Sequence, residues 1–141
     1  MKALLDTNML VDELLAHPGY ELGVSSLSWA ELGRGIHSAT TPEERARRES
    51  LIDRLRKQLG GGVPFDDAAA DAYKTVCGLV IARGRQTRNR AIDLMIAATA
   101  LSIGAGVITR NVADFAGVED LVPIIDARTD ACPRPGAGAP A

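Results

Sequence analysis

The sequence predicts an α/β fold, a three-layer α/β/α sandwich around a short-stranded central parallel sheet. Three observations carry that prediction. Short, continuous apolar runs alternate with longer segments of helical periodicity, as in sheets buried on both faces. Capping residues and glycine or proline breaks punctuate the helical segments. The chain has 141 residues with 46% apolar content, enough for one domain with one core.

In chain order, residues 2–5 read as a buried strand that ends at Asp6. Thr7 and Asn8 suit the start of a helix running to about Leu15, and Pro18-Gly19 breaks it. Residues 22–25 form a second strand, and Ser28 opens a helix to about Ser38. Thr41-Pro42-Glu43-Glu44 is a strong helix start: a cap, proline at the first helical position, and glutamate at the third. Leu51, Ile52, Leu55 and Leu59 follow at helical spacing, and Gly60-Gly61-Gly62 ends that helix. Residues 63–65 read as a brief strand. Asp66 or Asp67 then caps a helix with Ala69, Ala72, Tyr73, Val76, Cys77 and Val80 on one face.

Asp93 is expected to begin a very apolar helix to Ile103. Strands are expected at 107–109 and 122–125, with a loop at 110–114 after the first of them. Residues 1–127 are thus the domain, and 128–141, rich in proline, glycine and alanine, are expected to be a flexible tail.

Composition narrows the function classes. No apolar run is long enough to span a membrane, and an acid at position 6 is too early for a signal peptide, so a cytoplasmic protein is expected. Cys77 and Cys132 are expected as separate thiols, and with His17 and His37 they make no zinc pattern. The net charge of −2 does not by itself predict nucleic-acid binding. The distribution is more telling. Arg83, Arg85, Arg88 and Arg90 crowd one acid-free stretch, whereas the basic group at 45–57 is diluted by acids and reads as a solvated helix face.

In parallel sheets, sites form at the carboxyl ends of strands. That rule singles out Asp6, the turn around Glu31, and the segment from Thr109 to Asp114. Each acid also has a local explanation. Asp6 suits a helix cap; Ser28-Trp29-Ala30-Glu31 fits a capping box; Asp93 starts a helix; Asp114 sits in a turn. If Asp6, Glu31, Asp93 and Asp114 converge, they cannot all ionise without cations between them. Oxygen-only ligation suits magnesium or manganese, the usual equipment for phosphodiester hydrolysis.

Four stretches, in order, resemble the PIN-domain family and specifically its VapC-type toxins. They are Leu4-Leu5-Asp6-Thr7-Asn8; Ser25 to Gly35, containing Trp29-Ala30-Glu31-Leu32; Ala91-Ile92-Asp93-Leu94 and on to Ala100; and Thr109-Arg110-Asn111-Val112-Ala113-Asp114-Phe115. The resemblance implies a Mg²⁺-dependent endoribonuclease (Mn²⁺ as an alternative), acting on tRNA or ribosomal RNA. It also implies a homodimer and a cognate VapB-like antitoxin. Asp6, Glu31 and Asp93 match the family's metal-holding acids. Many members carry a fourth acid two residues after the threonine; here that position is Asn111, and Asp114 follows a variant pattern with an acid before phenylalanine. Thr7, Asn8, Thr109 and Asn111 are expected to orient the acids. Arg34, Arg83, Arg85, Arg88, Arg90 and Arg110 are the candidates for RNA phosphates. Trp29, Phe65, Tyr73 and Phe115 are expected to pack rather than stack on bases.

Other readings are weaker. A haloacid-dehalogenase-like phosphatase needs a second acid where Asn8 stands. A receiver-like domain needs an acidic cluster at its first strand. A nucleotide-binding module needs a glycine-rich loop between strand and helix, whereas Gly60-Gly61-Gly62 follows a helix. The main alternative is a non-catalytic PIN-fold module that binds protein or RNA.

Overall fold

The computed structural model describes residues 1–13 and 15–129. Four parallel strands, β1 (Lys2–Leu5), β2 (Glu21–Gly23), β3 (Gly106–Thr109) and β4 (Ile124–Asp126), lie in the order β2-β1-β3-β4. The helices are α1 (Thr7–Val11), α2 (Ser26–His37), α3 (Pro42–Leu59), α4 (Asp67–Ala82) and α5 (Ala91–Ser102), with a 3₁₀ turn at Val112–Phe115. Among the described residues no helix is long and apolar enough to cross a membrane.

The strands are apolar on both faces because the sheet is covered on both. Side chains alternate along a strand, so Ala3 and Leu5 enter one core while Leu4 enters the other. Ile108 and Val107 divide in the same way. One core gathers Met9 and Leu10 of α1, Trp29 and Leu32 of α2, and Leu55 of α3. The opposite core gathers Val76 and Val80 of α4, Leu94, Ile96, Ala97, Ala98 and Ala100 of α5, and Phe115. These two layers around one sheet are the sandwich that the alternation of elements predicts. Trp29 and Phe115 are buried, and Phe65 meets Tyr73 edge to face, so the aromatic residues do pack.

Several boundaries differ from the sequence reading. α1 stops at Val11 rather than near Leu15: Asp12 caps it, and Glu13 turns to φ 52°. Leu15 packs against the α1–α2–α3 core instead of extending the helix. α2 begins at Ser26, with Ser25 as its cap and the Ser25 hydroxyl accepting from the Leu27 amide. The expected strand at 63–65 shrinks to a single bridge, Ser25 to Val63. Pro64 has no N–H to carry the ladder further. β4 begins two residues late, at Ile124. Other expected starts hold: Thr41 accepts from the Glu44 amide, and Asp66, not Asp67, accepts from Ala69. α5 begins at Ala91, which places Asp93 in its first turn rather than ahead of it. Cys132 and residues 130–141 of the expected tail lie outside the described residues.

The chain order matters for the site. β1 leads through α1 to β2 on one side, and the chain then returns to β3 on the other side of β1. The order therefore reverses between β1 and β3, and a crevice opens at their carboxyl ends. Asp6 follows β1 and Arg110 follows β3 at that point.

Candidate active site

Asp6 is buried, with 4% of its surface exposed, at the end of β1. It caps α1, since its Oδ1 accepts from the Thr7 amide at 2.8 Å. Its Oδ2 accepts from the Thr109 hydroxyl, across the switch point, at 2.9 Å. Capping and site are thus one arrangement here, not alternatives.

Glu31 does not form a capping box. Ser28 lies inside α2 rather than at its cap. The Glu31 Oε1 instead accepts from the Thr7 hydroxyl at 2.7 Å, which turns this acid toward the end of β1. Asp114 sits in the 3₁₀ turn after β3 and accepts from the Asn111 side-chain amide at 2.7 Å. The Asn111 backbone amide donates to the Thr109 hydroxyl at 2.9 Å. One connected set of hydrogen bonds therefore runs from Glu31 through Thr7, Asp6, Thr109 and Asn111 to Asp114.

Asp93 stands outside that set, in the first turn of α5, which has no side-chain cap. Its carboxyl is pushed up to about 7. Burial is the largest cause, followed by the charges of Asp6, Asp114 and Glu31, with Arg90 opposing. A helix N-terminus favours an anion by about 0.3–1 kcal/mol; here burial and crowding outweigh it. Asp6 is also held above the usual carboxylate range, chiefly by burial, with Glu31 and Asp114 adding to it. Asp6 thus feels the charges of Glu31 and Asp114, and Asp93 those of Asp6, Asp114 and Glu31.

The donor set fits a hard divalent cation by chemistry. It is all oxygen and carries crowded negative charge that a cation would relieve. Asn8 Oδ1 adds a buried acceptor with no donor among the described residues. The acids do not form a closed cage, for among the described residues no three His, Cys, Asp or Glu side chains stand grouped to hold an ion. The hydroxyl and amide donors of Thr7, Thr109 and Asn111 occupy several of the carboxylate oxygens instead.

The matching family model is the PIN domain, over residues 3–121. The chain belongs to the PIN-domain family. This PIN domain is similar to Ribonuclease VapC4 of Mycobacterium tuberculosis, with 32% identity over 103 residues, 73% of this chain and 75% of that protein. Its fold is similar to a crystal structure from the VapBC family of toxin–antitoxin systems, VapBC-5 of Mycobacterium tuberculosis. There the TM-score is 0.74 at 31% identity, covering 89% of this chain and 98% of that one. VapBC-1 of nontypeable Haemophilus influenzae matches with a TM-score of 0.67 at 26% identity, over 92% of this chain and all (100%) of that one.

The arginines of this PIN domain divide into distinct environments. Arg90 is tied inward: its guanidinium donates to the Asp114 carbonyl (3.0 and 2.7 Å) and the Ala116 carbonyl (2.8 Å). It thereby fixes the loop that carries Asp114. Arg83 pairs with Asp120, and Arg110 with Asp12. Arg85 and Arg88 are exposed on the α4–α5 loop that leads to Asp93.

Arg34 lines a groove of about 530 Å³ that opens on Thr7 and Glu31. Sequence reasoning missed that groove. It is walled by Arg47 and Arg48, paired with Glu44, and by Arg54, paired with Glu13, over an apolar floor of Leu32, Leu51 and Ile52. The basic group on α3 is a solvated, acid-diluted face, as the sequence suggests, and three of its arginines also border this groove. The sequence signal was a row of arginines at helical spacing, but which way that face turns depends on how α3 packs on α2.

Proposed function

We propose that this PIN domain is a metal-dependent endoribonuclease, a VapC-like toxin of the cytoplasm. The observation that supports it most is the hydrogen-bonded set at the switch point that links Asp6, Glu31 and Asp114, beside which Asp6 and Asp93 are both held above the usual carboxylate range. Asp6, Glu31 and Asp93 would hold the cation, Mg²⁺ or Mn²⁺. When bound, such an ion acidifies a water for attack on phosphorus and offsets charge on the leaving oxygen. Asp114, held by the Asn111 side-chain amide, completes the acidic rim, and Thr7 and Thr109 orient the carboxylates of Asp6 and Glu31. Hydrolysis leaves a 5′-phosphate and a 3′-hydroxyl and needs no histidine.

The substrate is RNA, with tRNA and ribosomal RNA the first to test. The partner is a VapB-like antitoxin, and the toxin itself is a homodimer. The groove of Arg34, Arg47, Arg48 and Arg54, apolar at its floor, is the seat we assign to the antitoxin segment that closes the site.

Purified, antitoxin-free protein is expected to cut total tRNA or ribosomal RNA at discrete sites with Mg²⁺ or Mn²⁺, and to stop on addition of EDTA. Absence of cleavage with either metal, together with no Mn²⁺ binding by calorimetry, would leave the non-catalytic binding module as the better account.

The arginines supply a second expectation. Arg85→Ala and Arg88→Ala should each weaken RNA binding and lower its salt dependence by about one phosphate contact, with melting unchanged. Arg90→Ala should instead cost about 2 kcal/mol of stability through its lost bonds to the Asp114 and Ala116 carbonyls. Filter binding across a salt series, beside thermal melts, separates the two. A common effect of all three variants on melting alone would remove Arg85 and Arg88 from the RNA path.

A further inference from the structure

We infer that Thr7 and the buried Ser28 form a two-hydroxyl joint that positions Glu31 relative to Asp6. The inference rests on the proposed metal-dependent activity. Thr7 touches both acids: its amide donates to Asp6 Oδ1 at 2.8 Å and its hydroxyl reaches Glu31 Oε1 at 2.7 Å. The same hydroxyl lies 3.1 Å from Ser28 Oγ.

A threonine hydroxyl carries one proton and two lone pairs. Glu31, a carboxylate, can only accept when ionised, so it takes that proton. The Ser28 hydroxyl is then the donor to Thr7. Serine within a helix ordinarily returns its proton to the carbonyl four residues back. For Ser28 that residue is Val24, which precedes α2, and among the described residues its carbonyl accepts from the Val63 amide at 2.7 Å and from no side chain.

Ser28 has no exposed surface, so water does not compete for its proton. Ser28 and Glu31 are three residues apart on α2 and share a face. The direction of donation is therefore Ser28 to Thr7 to Glu31. It holds Glu31 Oε1 and leaves Oε2 without a hydrogen bond among the described residues, the oxygen available to a cation.

Both residues are positioning residues, acting through the acids. Groups that orient metal-holding side chains are typically worth about 10–100-fold in metal affinity or activity. Thr7→Val is expected to weaken Mn²⁺ binding in calorimetry about 10-fold or more, and to lower kcat similarly with KM for RNA unchanged. Ser28→Ala is expected to do the same to a smaller degree, and Thr7→Ser to restore wild-type behaviour. Because both hydroxyls act through one path, Thr7→Val/Ser28→Ala should be no worse than Thr7→Val alone.

Melting in EDTA reports the merely structural role. Variants that melt lower yet bind Mn²⁺ like wild type when folded would overturn the inference. So would additive losses in the double variant, or Thr7→Ser as impaired as Thr7→Val. A wild-type protein that binds no Mn²⁺ would remove the proposed function itself and this inference with it.

Discussion

Asp93→Asn is expected to abolish cleavage and, without metal, to make the protein more heat-resistant at pH 8 than the wild type. Asp93 is pushed up to about 7 in the folded chain by burial and by Asp6, Asp114 and Glu31, against an ordinary value of 3.8. Because the folded value lies above the unfolded one, its contribution to stability is fully present below about pH 4. It is lost as pH rises through about 7.

The metal-free wild type should therefore melt progressively lower between pH 4 and pH 7 and then level off. Asparagine carries no charge and removes that fall. The shift of about three pH units would correspond to about 4 kcal/mol for a group shielded from water, but Asp93 is only half-buried. Solvent screening reduces the figure to on the order of 1 kcal/mol, a few degrees in melting temperature. Melts at pH 5 and pH 8 in EDTA check it: the variant's gain on the wild type should be clearly larger at the higher pH. Equal gains at both would show that Asp93 carries no crowded charge. Added Mg²⁺ or Mn²⁺ should raise the wild type at pH 8 and leave Asp93→Asn unchanged.

Glu31→Gln should lose on the order of 10³-fold in cleavage with little change in fold. Removing a carboxylate that anchors a catalytic cation forfeits several kcal/mol of transition-state stabilisation, and about 4 kcal/mol is roughly 10³-fold. The fold is spared for a reason visible at the start of α2. Ser25, not Ser28, caps that helix, so Glu31 has no capping duty to lose. Glutamine keeps an oxygen for the Thr7 hydroxyl, so the contact survives while the charge goes.

Asp6→Asn should behave alike in activity. Its carbonyl oxygen can still accept from the Thr7 amide, and the neutral group relieves a buried charge. Single-turnover cleavage of a labelled RNA, beside circular dichroism, is the measurement. Retention of activity within about 10-fold by Glu31→Gln would exclude Glu31 from the chemistry.

The sequence by itself determined the sandwich, and did so through local physics. Leu4 and Leu5 point to opposite sides of one strand and are both apolar, which only a sheet covered on both faces requires. Thr41-Pro42 and Asp66 mark helix starts by capping chemistry that acts within four residues. The acids at strand ends were legible because parallel sheets put their crevices there.

What the sequence left open were questions of which partner each side chain meets. Glu31 fits a capping box on paper, and the box fails because the Ser25–Val63 bridge starts α2 earlier, a pairing between residues 38 positions apart. Arg90 reads as one of four similar cations, yet only folding brings the Asp114 and Ala116 carbonyls to it. The raised carboxyl of Asp93 and the arginine-walled groove on α3 likewise exist only once distant segments meet. Propensity and capping act over a few residues. Burial, charge crowding and competition for a hydroxyl proton act between segments, and those were decided by the tertiary structure alone.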